Sequence, residues 1–345
     1  MVSTSPRPRI HVIALGGTIA STSGRASSSG QSPNKPDVGV APGLTGHDLV
    51  RAVPAISQYA DITTEQLAQV GSASLTITTV VAVAAAARRA IEDGASGVVV
   101  TQGTDSLEET AFVLRLLHEL PQPIVFTGAM RNPTLPGADG PANLLAAVQV
   151  AGDPEARELG AVVVLNDEIH DPLFMRKSHT SNPATFTSGP AAGPIGWVSE
   201  GDVLLPHRPV RRPILPVPAG EIAPVVLLPA TLGDDLRMLD YVDRAGYRAV
   251  VIDGMGGGHI PESAVDTVAR AAARLPVVMA SRTGSGRALR RTYSYPGSEI
   301  ALAKLGVLSA GVLDGRKARL ALSVLLSTRS ETPFTSRWQG LVDAL

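Results

Sequence analysis

The sequence predicts an α/β protein: a larger N-terminal domain built on a mainly parallel sheet flanked by helices, plus a smaller C-terminal α/β domain. Three observations carry this. Short apolar runs alternate with helix-like stretches, the pattern of βαβ units. Aromatic residues are only 3% while hydrophobic residues reach 44%, so alanine, valine and leucine must fill the core, as closely packed α/β layers require. The chain of 345 residues is too long for one typical domain and suits two.

Taken in order, Ile10 to Leu15 reads as a buried strand. It ends in Gly16-Gly17-Thr18-Ile19-Ala20, where two glycines suit a tight turn that brings backbone N–H groups near a ligand. Ser21 to Gly46 is serine, glycine and proline with almost no apolar content, and its position after Thr18 predicts a lid. Thr76 to Asp93 is alanine-rich and reads as a helix packed closely on the sheet. Gly97 to Val100 is a second buried strand, followed by Gly103-Thr104-Asp105 and a helix from Asp105. Ile124 to Thr127, a helix from Asp139 and a strand at Ala161 to Leu165 continue the alternation. Pro206, Pro209, Pro213, Pro216, Pro218 and Pro224 forbid a helix or central strand, so 206–224 reads as a linker between domains 1–205 and 225–345. Beyond it come strands at Val225 to Leu228, Ala249 to Ile252 and Val277 to Ala280, with helices near Asp234 to Ala245 and from Pro261. No repeat of fixed period is present.

Composition excludes several classes of function. A net charge of -1 argues against nucleic acid as a partner, and the basic run Arg208 to Arg212 reads as a solvated loop. The absence of cysteine removes disulfides, thiolate metal sites and a cysteine nucleophile. Met1 to Arg9 has no apolar signal core, and no run approaches the ~18 apolar residues of a membrane helix. A cytoplasmic protein with no membrane partner is therefore expected. The seven histidines are scattered without metal-ligand spacing, so no metal is expected. His11 reads as a satisfied core residue, and His170-Asp171 as a loop pair. Neither a phosphate loop nor a G-x-S-x-G elbow occurs, and Gly254 to His259 reads as a strand-to-helix turn.

The chemistry concentrates at Thr18 and Thr104, each just past the carboxyl end of a strand, the edge where open α/β sheets bind ligands. A threonine hydroxyl needs a base or a positioned network to take its proton. Asp105 adjoins Thr104, although neighbouring residues leaving a strand often point apart. Lys177 is the candidate activator. Lys177 is the only lysine between Lys35 and Lys304, in a loop-like stretch with Arg176, Ser178, His179 and Thr180. Desolvation has to lower its pKa from the usual ~10.4 for it to act as a base. Read from spacing alone, a solvated surface lysine is the simpler alternative.

Together, Gly16-Gly17-Thr18-Ile19-Ala20, Gly103-Thr104-Asp105 with Glu108-Glu109-Thr110, Gly128-Ala129-Met130-Arg131, and Ala138-Asp139-Gly140-Pro141 with Asn143-Leu144 resemble the motifs of the bacterial-type L-asparaginase/glutaminase family, the threonine amidohydrolases. The resemblance runs from about Ile10 to the last helix. It implies Thr18 as nucleophile and Thr104, Asp105 and Lys177 as a second catalytic cluster. It implies that Gly71 and Ser72 bind the substrate α-carboxylate, that Asp105 holds its α-ammonium group, and that the N–H groups of Thr104 and Ala129 form an oxyanion hole. Glu299 falls where the family supplies a glutamate to the neighbouring subunit, which implies a homodimer pair, usually within a homotetramer. The implied reaction is hydrolysis of the side-chain amide of L-asparagine to L-aspartate and ammonia, without a cofactor. Departures from the family pattern open the alternatives of L-glutamine, D-asparagine or an asparagine derivative as substrate. No tyrosine lies between Thr18 and Gln58, Ala73 stands where many members have glutamine, and Gly257 where some have asparagine. Tyr293 and Tyr295, close to Glu299, are candidates to replace the lid tyrosine from the partner subunit. A non-catalytic amino-acid-binding protein and the ammonia-generating subunit of a tRNA-dependent amidotransferase are the readings from other classes.

Overall fold

The computed structural model describes residues 6–23, 40–209 and 213–345. It divides into two compact units, Met1–Val210 and Arg211–Leu345. In the first, the strands are β1 (Arg9–Ala14), β2 (Ser21–Ser23), β3 (Val40–Pro42), β4 (Asp61–Gln66), β5 (Gly97–Thr101), β6 (Ile124–Thr127), β7 (Ala161–Leu165), β8 (Glu168–His170), β9 (Arg176–Lys177), β10 (Phe186–Thr187), β11 (Gly196–Ser199) and β12 (Asp202–Leu204). Its helices are α1 (Gly46–Arg51), α2 (Ile56–Tyr59), α3 (Ile77–Glu92), α4 (Leu107–Leu117) and α5 (Gly140–Gly152). Among the described residues the main sheet runs β12-β11-β8-β7-β6-β5-β1-β4. The five strands from β7 to β4 are parallel, and the other three are antiparallel.

The central strands β5, β6 and β7 are buried along their whole length and are built mainly from valine, isoleucine and alanine, as a sheet covered on both faces demands. Helix α5 packs one face with Leu144, Ala147, Val148 and Ala151 against Ile10, Val12, Val99 and Val162. It lies so close that a β-carbon on Gly97 would sit 2.1 Å from the Ala151 carbonyl oxygen. The alanine-rich helix α3 covers β1 and β5 and is started by Thr76, whose side chain accepts from the Thr79 N–H. Thr45 and Asp48 form a capping box that starts α1. The expected lid is bracketed by β2 and β3, which pair antiparallel. Its central part, residues 24–39, lies outside the described residues, as do 210–212 of the basic run.

The second unit has β13 (Val225–Pro229), β14 (Ala249–Gly254), β15 (Val277–Ser281) and β16 (Leu308–Ser309) in one parallel sheet of that order. Its helices are α6 (Val265–Ala272), α7 (Glu299–Lys304), α8 (Gly315–Leu326) and α9 (Phe334–Ala344). Val250, Ile252, Val277 and Met279 pack with Val268, Ala271 and Leu302. Helix α8 covers β13, β14 and β15. The helix expected near Asp234 to Ala245 is instead a four-residue 3-10 turn, Arg237–Asp240. The reason is local. Asp234 Oδ1 takes the Leu236 N–H at 2.8 Å and Asp235 Oδ1 takes the Arg237 N–H at 3.1 Å, side-chain bonds that compete with helix formation. Among the described residues no helix is long and apolar enough to cross a membrane.

Candidate active site

Strands β1 and β5 lie side by side in parallel register, so the chain segments carrying Thr18 and Thr104 leave the same sheet edge as neighbours. Thr18 opens a 3-10 turn, Thr18–Ala20, and for this residue the description covers the backbone alone. The approach of the two segments is set by glycine. Gly17 has φ +90°, and a β-carbon there would lie 2.0 Å from the Gly103 nitrogen. Gly16, at φ +96°, likewise has no room against the Val70 backbone at 2.8 Å. The Leu15 N–H donates to the Thr101 carbonyl at 2.9 Å, and the Val70 N–H to the Leu15 carbonyl at 3.1 Å. Three loop starts are thereby tied into one edge.

Ser72 begins a short 3-10 turn and is buried. Its Oγ accepts from the Asp105 N–H at 3.1 Å, and its carbonyl accepts from Ser106 Oγ at 2.7 Å. Gly71 beside it faces open space. Thr104 is buried, yet Asp105 has 69% of its side chain exposed. The open surface of the cluster is therefore the carboxylate.

Lys177 is not in a loop: it sits on β9, which pairs with β10 in a two-stranded hairpin. Its backbone N–H donates to Glu108 Oε2 on the first turn of α4, which fixes the strand above the helix start. Its Nζ then donates to Thr104 Oγ1 at 2.9 Å and to Asp105 Oδ1 at 2.8 Å. Thr104 and Asp105, adjacent in sequence, thus meet at one lysine, whose side chain is only 16% exposed.

Ala129 is fully buried in the loop after β6. That loop is closed by Asp139, which takes the N–H groups of Met130 at 2.9 Å and Arg131 at 2.8 Å. Asn143 adds bonds to the Gly128 carbonyl at 3.0 Å and to Asp139 Oδ2 at 3.2 Å, and accepts from the Asn166 N–H at 2.9 Å.

Histidine 170 and Asp171 are also not free loop residues. His170 ends β8 in the core, with Nδ1 3.0 Å from Ser188 Oγ, and burial pushes its pKa down to about 4. Asp171 receives a fork from Arg115, Nε at 2.6 Å and Nη2 at 3.1 Å, a buried ion pair joining α4 to the end of β8. His11 bonds Thr63 Oγ1 at 2.8 Å on β4. Glu299 belongs to the C-terminal unit, where it opens α7. Gly257 is in the same unit, and Leu289 fills the space of any side chain there, its Cδ1 2.5 Å from the β-carbon position.

Sequence reading missed the roles of Glu108, Asp139 and Asn143 in holding this framework. Each lies within a motif quoted above, but the bonds they make reach backbone groups that no spacing rule identifies.

The Asparaginase, N-terminal family model matches residues 9–211, and the Glutaminase/Asparaginase C-terminal domain model matches residues 224–335. L-asparaginase 2 of Escherichia coli (strain K12) is 33% identical over 333 residues, covering 94% of this chain and 90% of that protein. L-asparaginase 2 of Bacillus subtilis (strain 168) is 31% identical over 331 residues, covering 94% and 84%. The crystal structure of a probable cytoplasmic L-asparaginase from Campylobacter jejuni superposes with a TM-score of 0.84 at 28% identity, covering 98% of this chain and all of that one.

Proposed function

The chain belongs to the asparaginase family of amidohydrolases, and from that premise we propose that it hydrolyses the side-chain amide of L-asparagine to L-aspartate and ammonia. The observation that carries the proposal is the reach of Lys177 Nζ from its own hairpin to both Thr104 and Asp105. A purely structural lysine has no need to leave a carboxylate half in solvent at a sheet edge.

In this reading Thr18 Oγ attacks the amide carbon, the carbon–nitrogen bond breaks, and ammonia leaves with the threonine proton. Water then attacks the acyl carbon, the bond from that carbon to Thr18 Oγ breaks, and L-aspartate leaves as the water proton, relayed by the hydrogen-bonded Thr104, Lys177 and Asp105, returns to Thr18 Oγ. Ser72 and Gly71 meet the α-carboxylate and Asp105 the α-ammonium group. The N–H groups of Thr104 and Ala129 face the developing oxyanion, where such donors are typically worth ~3 kcal/mol each. The rigid Asp139–Asn143 support of the Ala129 loop agrees with that role. The C-terminal region around Glu299 serves the neighbouring subunit's site, so a homodimer is the smallest working unit and a homotetramer the expected assembly. The protein works in the cytoplasm, without a cofactor.

Ammonia release by wild type and Thr18→Ala, across micromolar to millimolar L-asparagine, tests the reading. Release that vanishes in the variant supports it, and release that survives the substitution removes Thr18 as nucleophile. One observation favours a second reading, a shifted amide specificity. Ala73 is small and exposed, and Leu289 occupies the space beside Gly257, so two polar contacts to the amino-acid end are replaced by apolar surface. A higher kcat/KM for L-glutamine, D-asparagine or an asparagine derivative than for L-asparagine establishes that reading instead.

A further inference from the structure

Among the described residues the main sheet ends at β4, and none of that strand's residues is buried, whereas most of its neighbour β1 is. Helix α3 packs on β1 and β5, burying Val80, Val83, Ala86, Ala87 and Ile91. Beside it, over the edge strand, a cavity of about 270 Å³ opens. It is lined by Arg9 and His11 of β1, Thr63 and Glu65 of β4, Arg89 of α3, and Asp93 just after that helix. Arg9 is the first residue of β1, and Asp93 precedes β5, so the cavity lies toward the amino ends of these strands. Thr18 and Thr104 follow the carboxyl ends of the same two strands, at the other edge of the sheet.

His11, expected in the core, faces this cavity instead. The parallel register of β1 and β4 sets it beside Thr63, whose Oγ1 lies 2.8 Å from its Nδ1. The charged groups around it are held loosely. His11 Nε2 stands 3.4 Å from Glu65 Oε2, and Arg89 Nη2 stands 3.7 Å from Glu65 Oε1. Both separations exceed the ~2.7–2.9 Å of a good charge-assisted hydrogen bond. Arg9, by contrast, is anchored, its Nη1 donating to the Asp93 carbonyl at 3.0 Å.

The lining carries two arginines and two acids. A phosphate or other multiply charged anion therefore meets like charge, and so does a simple cation. A ligand with both signs on neighbouring atoms meets a partner for each. Ala86, Ala90 and Ala95 complete the wall with methyl groups, which suits a short side chain without charge.

We propose that this cavity binds a free α-amino acid with a short uncharged side chain, its carboxylate on Arg89 and Arg9 and its ammonium group on Glu65. The ligand inserts into the long Arg89–Glu65 contact. Little is lost by opening it, because an exposed pair at that separation contributes little. Arg89 is free to swing, with 62% of its side chain exposed. The site is separate from the threonine edge and does not depend on the amidohydrolase reading.

Isothermal titration of the full-length protein with L-alanine, which has no side-chain amide to hydrolyse, tests this. Saturable binding is expected from micromolar to millimolar ligand. Glu65→Gln and Arg89→Met, both at solvent-accessible positions, are each expected to weaken it by at least about tenfold, since each removes a charge-assisted bond. Propionate, which lacks the ammonium group, and ethylamine, which lacks the carboxylate, are expected to bind at least about tenfold more weakly than L-alanine. No binding of L-alanine overturns the proposal. So does binding that keeps wild-type affinity in both variants, because the ligand then sits elsewhere. Propionate that binds as tightly as L-alanine makes this an anion site and overturns the assignment of a zwitterion. None of these outcomes turns on whether the protein releases ammonia from L-asparagine.

Discussion

The two hydrogen-bonded clusters of this protein are built in opposite ways. Around Lys177 the construction starts from the backbone: glycines let β1 and β5 end in contact, and one lysine bridges adjacent residues, of which Asp105 is open to solvent. Around Glu299 it starts from side chains: a buried carboxylate gathers two N–H groups and a histidine, and the exposed end is a tyrosine. The difference teaches where each tolerates change. The first has no slack in its main chain, and the second has no slack in its polar partners.

The sharpest break is Gly17→Ala. Its β-carbon falls 2.0 Å from the Gly103 nitrogen at a positive φ, so β1 and β5 must part at the site. Activity is expected to fall more than about 1,000-fold, with a lower melting temperature, in an ammonia-release assay paired with thermal unfolding. Next, Lys177→Met removes the ammonium group shared by Thr104 and Asp105. A loss of about 10²–10⁴ in kcat is expected, with unfolding little changed.

Acid sharpens the comparison through stability. His170, in the N-terminal unit, is kept neutral by burial, with a pKa near 4 against an ordinary 6.5. A depressed histidine pKa means that the unfolded chain binds the extra proton first. Its contribution is therefore full above pH 6.5 and is lost as pH falls toward 4, by about 3 kcal/mol. Glu168, 3.2 Å from the His170 ring, has its carboxyl raised by burial and works in the opposite direction, favouring the fold in acid. Glu299, in the C-terminal unit, has a lowered pKa, so its contribution is full above the ordinary carboxylate range and fades as pH falls through and below it. Urea unfolding at pH 7 and pH 4 is expected to show the drop in wild type and a flatter profile in His170→Asn.

The smallest effect is expected at Gly257→Asn. Leu289 Cδ1 lies 2.5 Å from the position of the new β-carbon, so the side chain must shift, at a cost of about 1–3 kcal/mol. Leu289→Ala in the same chain is expected to restore most of that loss in a denaturant melt.

Much of the first cluster was legible in the sequence. Valine-rich runs marked β5 and β7, and Thr104-Asp105 after β5 marked the sheet edge, because burial on both faces and glycine turns leave strong local signals. Lys177 was legible as a rare residue, but its hairpin was not: two-residue strands have no periodicity to read. The Glu299 cluster was legible only in part. Glu299, Tyr293 and Tyr295 lie close in sequence, whereas His259 stands 40 residues before Glu299 and joins them through the packing of loops that carry no pattern. The missing helix after Asp234 shows the complementary failure. Helical spacing was present, and two aspartate side chains won the competition for the backbone.

The bonds that Asp139 and Asn143 make to the Ala129 loop have a consequence for motion. These residues stand one turn apart at the start of α5 and grip Gly128, Met130 and Arg131, so the loop opens only when the first turn of that helix opens. The amide protons of Met130 and Arg131 therefore exchange with solvent at the pace of a helix and not of a surface loop.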